Sequence, residues 1–286
     1  MEYWIWLSFI EKNNYIEIQS LLKKYKTPER IWNLEEKELL EQGLNLKSIA
    51  NILNPSYRNE LGKYIEYMEK NKIEIITLEN NNYPQNLKNI YDYPSVIYLK
   101  GNSKILNQTS IAIVGCRKSS IYGEKISKEL SYSLSKKGII IISGLARGID
   151  TFSHMGCLQA QGKTIAVLGS GLDIIYPSEN KYLVENIIKN NGAIISEYIV
   201  GTTPTKYTFP ARNRIISGMS DGVVIVEAKK RSGSLITVDF AIQQGKNVYA
   251  IPGNINNLNS EGTNELIKQG AKPLTNLQDI LEDIIE

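Results

Sequence analysis

Residues Thr208 to Gly218 read TFPARNRIISG. Arg212 and Arg214 flank Asn213 just after the Phe209-Pro210 pair, and the apolar Ile215-Ile216 leads on to Gly218. A proline near the start and a glycine at the end favour a short helix. Guanidinium and amide groups near the N-terminal end of such a helix, where unpaired backbone N–H groups gather, make a donor set for phosphate. The Phe209 ring offers a face on which a nucleobase can stack. An isolated Arg-Asn-Arg triplet fits a solvated basic turn equally well, so its surroundings decide what it does.

Four further segments carry the same kind of chemistry. GCRKSSIYG at 115–123 follows an apolar run; Gly115 permits a sharp turn, Arg117 projects where an anion would lie, and Ser119 and Ser120 can cap a helix or donate to phosphate. SGLARGID at 143–150 brings Ser143, Gly144, a second cation at Arg147, and Asp150 as a cap for the next helix. GSGLDIIYPSENKYL at 169–183 brings Ser170, Tyr176, Ser178 as a helix N-cap and Lys181 on the first turn. After Glu227-Ala228 come Lys229, Lys230 and Arg231, then Ser232, Gly233 and Ser234 at the head of a helix. Taken singly, each glycine fits a turn or close helix–strand packing. None of these loops reads G-x-G-x-x-G with an acidic ribose ligand, so a dinucleotide fingerprint is not supported.

The elements that must position these loops follow from apolar periodicity. Strands are expected at Ile111–Val114, Ile139–Ile142, Thr164–Leu168, Ala193–Ser196, Val223–Val226 and Asn247–Ala250. Helices are expected at about 122–137, 149–161, 179–189 and 235–243. Continuous apolar strands alternating with helices of about twelve residues indicate an α/β domain with a parallel sheet covered on both faces. Ligands of such sheets bind beyond the C-terminal strand ends, so the loops should converge on one rim. Residues 1–70 show helical spacing, punctuated by Thr27-Pro28 and Asn54-Pro55, with Trp4, Trp6 and Trp32 as core anchors. Residues 71–108 read as a connector with two short strands, around 73–76 and 96–99, and residues 109–286 form the α/β domain.

Bulk properties remove several classes. With 42% apolar and 22% charged residues the 286-residue chain can build a sizeable core. Its formal charge is only +3, so any polyanion site must be local. Residues 201–232 supply such a patch, with six basic residues against two acidic ones. Cys116 and Cys157 lack metal-ligand spacing and His154 is the sole histidine, which excludes a multi-histidine metal site. No apolar run reaches the length that crosses a bilayer and no basic leader is evident, so a cytoplasmic location is expected. No cofactor and no metal are expected. The mixture of cations with the rings of Tyr176, Tyr207 and Phe209 points to single-stranded nucleic acid.

The chain resembles the DprA (Smf) family of bacterial DNA-processing proteins. The resemblance is carried by YPQNL at 83–87, GCRKSSIYG, SGLARGID, AVLGSGLDIIYPSEN at 166–180, SEYIVGTTP at 196–204, FPARNRIISGMS at 209–220, VVIVEAKKRSGSLIT at 223–237 and IPGNINNLNSEGTNELIKQGA at 251–271. It implies an extended Rossmann fold that binds single-stranded DNA, loads the RecA recombinase on incoming strands during natural transformation, and dimerises through the Rossmann domain. By motif, Arg117, Lys181, Phe209, Arg212, Asn213 and Arg214 become the expected DNA contacts. Gly115, Ser119, Ser143, Gly144, Ser170, Ser232, Gly233 and Ser234 become the phosphate loops. Cys116 stands where the family usually has Ser or Thr. The N-terminal segment resembles small helical modules of the SAM-like or helix-hairpin-helix-like kind. Many relatives carry a C-terminal winged helix, for which the residues after Leu281 leave no room.

An enzymatic alternative is a nucleotide phosphoribohydrolase of the lysine-decarboxylase-like type, with Glu197 or Glu227 as its acid. The chain lacks the P-G-G-x-G-T-x-x-E pattern of that group, and Glu227 reads better as a residue that holds nearby loop N–H groups.

Overall fold

The structure, a computed structural model, describes residues 1–11 and 14–284. Seven short helices, from Glu2–Glu11 to Leu61–Lys70, precede the sheet. Their starts are written locally. Thr27 and Asn54 cap the helices Pro28–Trp32 and Pro55–Asn59 with a proline at the first turn, and each side chain accepts a backbone N–H. Trp6, Ile5 and Leu7 are fully buried. Trp6 meets Trp32 edge-on at 5.1 Å.

The sheet has nine strands: β1 Glu74–Thr77, β2 Val96–Gly101, β3 Ser110–Val114, β4 Ile140–Ser143, β5 Thr164–Val167, β6 Ala193–Ser196, β7 Gly222–Ile225, β8 Asn247–Ala250 and β9 Lys272–Pro273. Their spatial order is β1-β2-β6-β5-β4-β3-β7-β8-β9. Strands β3 to β9 run parallel, while β2 pairs antiparallel with both β6 and β1. The expected doubly wound, mostly parallel sheet with an all-α N-terminal layer is therefore the fold. β3 to β7 are buried along their length, as two helix-covered faces require. The two-residue β9 was not expected, since so short an edge strand leaves no periodic pattern.

One hydrophobic cluster crosses from the N-terminal helices onto the sheet, joining Trp4, Trp6, Leu7 and Ile31 to Tyr98, Ala166, Leu168, Leu183 and Ile194. Ser8 and Tyr98 share a hydrogen bond of 2.6 Å across this boundary. Buried Glu11 accepts from the Ser95 N–H at 2.9 Å and from its hydroxyl at 2.6 Å. Burial pushes the Glu11 carboxyl up to about 8, against the opposing pull of those two bonds.

Because the core is shared, Trp6→Ala should cost about 3–5 kcal/mol and lower the whole urea transition. Separate melting of the helical layer and the sheet, followed by far-UV and near-UV dichroism, would contradict a shared core.

Candidate nucleic-acid interface

In this strand order β4, β5 and β6 lie on one side of β3 and β7 on the other. The crevice between the ends of β3 and β7 is thus the switch point where doubly wound sheets hold nucleotides. Here it is filled from within. Glu227 is 1% exposed and sits against the start of the helix Ile121–Lys136. Its carboxylate accepts from the Ser120 N–H at 2.9 Å and from the Ser120 hydroxyl, and Asn259 donates to it at 3.4 Å. A Cβ at Gly123 would lie 2.4 Å from this carboxylate, so the two are packed in direct contact. Positive helix-end groups that could hold a phosphate instead hold the protein's own anion. Ser119 is likewise engaged, donating to Glu124 at 3.0 Å.

A cleft opens beside this plug, over the ends of β3, β4 and β5. Arg117, Gly144, Ala146, Arg147, Tyr176, Pro177, Phe209 and Arg212 line it. The loop after β4 is held close: the Asp150 carboxylate accepts from the Gly144 N–H at 3.1 Å and the Ala146 N–H at 3.4 Å. Gly148 has φ +73°, and a Cβ there would lie 2.4 Å from the Cys116 carbonyl, so only glycine brings the two loops together. Arg117 is exposed, with its guanidinium carbon 5.3 Å from the Phe209 ring centroid. Tyr176 lies 5.4 Å from the same ring on the other strand-end loop. An exposed cation and two aromatic faces therefore share one opening. Arg147, read from sequence only as a cation on that edge, also lines it and pairs with Glu179.

The helix Thr208–Met219 builds the cleft differently from expectation. Its two guanidinium groups point inward. Arg212 is 4% exposed and donates to the carbonyls of Gly144, at 2.7 Å, and Val167, tying the ends of β4 and β5 together. Burial pushes its guanidinium down to about 10, with the Asp150 carboxylate opposing and Arg117 adding to the fall. Arg214 is 1% exposed. It donates to Glu197 at 2.7 and 3.3 Å and to Asp92 at 2.9 Å, and lies 4.6 Å from the Tyr15 ring. Tyr15 in turn donates to Glu197 at 2.6 Å. Burial opposes the Arg214 charge, yet its anionic neighbours hold its pKa above the ordinary arginine value. The expectation of Arg214 as a DNA contact is corrected: the guanidinium is buried against internal acceptors, with each of its three nitrogens donating to Asp92 or Glu197, because a buried cation must be paired. Gly218, expected as the helix stop, lies inside the helix and gives room to Ile90, 2.9 Å from where a Cβ would stand.

Other expected donors are structural as well. Ser143 is fully buried and donates to the Ile113 carbonyl at 2.7 Å; Ser170 is 2% exposed and donates to the Ile174 carbonyl at 2.7 Å. Buried between strands and turns, these hydroxyls face the protein, which corrects their reading as phosphate donors. Gly115 packs on Ile149, 2.5 Å from a would-be Cβ. Lys181 is exposed at the start of the helix Lys181–Lys189, a turn beyond Pro177, and is outside the cleft lining. Asn213 is half-buried and accepts from the Arg212 Nε at 3.2 Å. Ser232 and Gly233 line a separate cleft, and Ser232 and Ser234 share a 2.8 Å hydrogen bond.

His154 is fully buried beneath this region. The Thr164 hydroxyl gives its proton to the Ile141 carbonyl at 2.7 Å, so His154 Nδ1 donates to it at 2.8 Å. Nε2 has no partner. Burial, and then Arg212, push the imidazole down to about 3.

With a cation and aromatic faces at one opening and the switch point closed, the chain is a doubly wound α/β protein whose cleft is displaced from the nucleotide position. The profile of the DNA recombination-mediator protein A family matches residues 74–285, and the chain belongs to that family. It is 42% identical over 277 residues to the DNA processing protein DprA of Streptococcus pneumoniae, covering 93% of this chain and 97% of that one. It is 40% identical over 246 residues to the Smf protein of Escherichia coli, covering 86% and 66%. The Streptococcus pneumoniae DprA crystal structure superposes with a TM-score of 0.79 at 38% identity, covering 100% of this chain and 99% of that one. DNA processing protein A of Helicobacter pylori, whose structure concerns its single-stranded DNA binding mode, superposes with a TM-score of 0.66 at 34% identity, covering 73% and 94%.

Arg214→Ala should cost about 3–5 kcal/mol by leaving the buried Glu197 carboxylate without its cation, whereas Arg117→Ala should stay within about 0.5 kcal/mol of wild type. Chemical denaturation distinguishes the two, and equal costs would contradict their opposite burial. A second expectation concerns pH. Between about 6.5 and about 3 the unfolded chain takes up a proton on His154 that the folded chain refuses, so this contribution falls as pH drops through that window. Asp150, raised to about 6 by burial, works in the opposite sense and loses its contribution as pH rises through 6. The difference between wild type and His154→Gln, measured by urea unfolding from pH 4 to 7, should therefore shrink as the pH is lowered. A pH-independent difference would contradict the neutral buried imidazole.

Proposed function

We propose that the chain binds single-stranded DNA in the cleft over β3, β4 and β5, and that it loads a RecA-type recombinase on the bound strand during natural transformation. One observation carries the binding site: exposed Arg117, without an ion pair among the described residues, lies against the Phe209 ring beside Tyr176. An unpaired strand offers a phosphate to the first and a base face to the others, whereas duplex bases are already stacked. Exposed Lys181 starts the helix that follows the Tyr176-Pro177 loop, Asn213 neighbours Arg212, and exposed Lys206 and Tyr207 precede the helix that carries Phe209. Arg212 and the Gly144 backbone form the wall rather than the main ionic contact.

Binding without catalysis fits the carboxylates. Glu227 is occupied by Ser120, and Glu197 by Arg214 and Tyr15. Loading of RecA, dimerisation through the Rossmann domain and a cytoplasmic site of action are proposed on the strength of family membership. Among the described residues no helix is long and apolar enough to cross a membrane.

Arg117→Glu and Phe209→Ala should each weaken binding of a labelled oligo(dT) at least tenfold, with melting temperatures unchanged. Wild-type affinity should fall steeply with salt and exceed that for duplex DNA. Fluorescence anisotropy across a salt series measures both, and wild-type affinity in the two variants would remove the site.

A further inference from the structure

Two exposed cations line the cleft over β3, β4 and β5, and their surroundings differ. Arg117 has no ion pair among the described residues. Arg147 donates from Nε to the Glu179 carboxylate, and the two side chains are 57% and 50% exposed. Glu179 itself is not among the lining residues. It belongs to the single turn Ser178–Asn180, directly after the Tyr176-Pro177 wall of the cleft.

An exposed ion pair by itself holds little together. Here, however, the backbone on both sides is fixed. Asn180 is 3% exposed and donates to the Leu145 carbonyl and to the Thr151 hydroxyl, each at 2.8 Å. Thr151 in turn donates to the Ala146 carbonyl at 2.7 Å. Leu145 is fully buried with φ +57°, a left-handed conformation that a residue with a side chain keeps only where its neighbours over-determine it. The anchored residues Asn180 and Ala146 stand next in sequence to Glu179 and Arg147. The two charges are therefore held side by side by the packed loops beneath them. The hydrogen bond from Arg147 holds the Glu179 carboxyl below the usual carboxylate range, so it is ionised at neutral pH.

A carboxylate at this place acts on a bound strand in two opposing ways. It orients the guanidinium through Nε, while the two Nη groups make no hydrogen bond among the described residues. It also cancels the cation and repels phosphate. Orientation helps one contact. Repulsion acts on every phosphate within a Debye length, about 10 Å at 0.1 M salt, and an unpaired strand carries a phosphate at each nucleotide. The electrostatic effect wins.

We propose that Glu179 is an internal competitor for single-stranded DNA: its carboxylate occupies Arg147 in the free protein, a phosphate replaces it when a strand binds, and the affinity of the cleft is lowered accordingly. This inference rests on the reading of the Arg117 cleft as a single-strand site and names the residue that restrains that site. Glu227, enclosed at the switch point, closes its anion position for good, whereas the exposed pair of Arg147 and Glu179 is open to exchange.

The test measures binding of a labelled oligo(dT) of about 16 nucleotides to the full chain by fluorescence anisotropy. Glu179→Gln keeps an oxygen that can accept from Arg147 and removes only the charge. It should bind about threefold more tightly than wild type at low salt, the scale of an exposed ion pair. Its salt slope should be steeper by about 0.7, as one further phosphate contact requires, with the melting temperature unchanged. The gain should vanish when Arg147→Ala is added, because no cation is then released. Equal or weaker binding by Glu179→Gln, or a gain that survives Arg147→Ala, would overturn the competitor role. Failure of both wild type and Glu179→Gln to bind the strand would instead overturn the reading on which it rests.

Discussion

A guanidinium can be buried only where acceptors already converge, and the helix Thr208–Met219 buries two. Arg212 finds the carbonyls at the ends of β4 and β5. Arg214 finds Glu197 at the end of β6, Asp92 on the connector and the ring of Tyr15 in the helical layer. Few placements of the helix satisfy both sets at once. Its rotation, its depth over the strand ends and its contact with the N-terminal layer follow from that requirement. Phe209, one turn before Arg212, is then left at the cleft with Arg117 above it. The basic residues that look like contacts are the frame, and the frame aims the residues that can meet a ligand.

A second constraint acts at the switch point. An α/β sheet of this topology leaves a helix N-terminus aimed at the crevice between β3 and β7, and such a terminus attracts an anion. Glu227 supplies that anion from within the chain and is fully enclosed there. The fold thereby gives up the place where related topologies hold a mononucleotide. The exposed chemistry is shifted along the rim to loops that offer cations and rings, which suits an extended polymer better than a compact cofactor. The same carboxylate anchors the start of the 121–136 helix and so steadies the loop carrying Arg117 and Lys118.

The helical layer is more than an appendage. Its apolar face and the sheet share one core through Trp6, Leu7, Tyr98 and Leu168, and the polar links of Ser8, Glu11 and Tyr15 cross the same boundary. Tyr15 reaches Glu197 and thereby the arginine frame of the cleft. The connector closes the sheet with β1 and β2 and sends Asp92 to Arg214.

Periodicity and turn residues alone determined the alternation of strands and helices, the helical start and the rim on which the loops gather. These are local properties: a buried strand needs a continuous apolar run, and Thr27-Pro28 or Asn54-Pro55 caps its helix wherever the helix later packs. Arg117, Phe209 and Tyr176 were legible as cation and rings on that rim. Which polar side chains face outward was not legible, and only the tertiary structure decided it. Arg117 and Arg214 have the same side chain, and each stands within a stretch that reads as basic and polar. One is exposed and the other enclosed because Glu197, Asp92 and Tyr15, distant in sequence, converge on the second and not the first. Ser143, Ser170 and Glu227 likewise spend their hydrogen bonds on groups brought close only by the packed sheet. Burial is a property of the assembled neighbours, and a single residue and its flanks do not contain it.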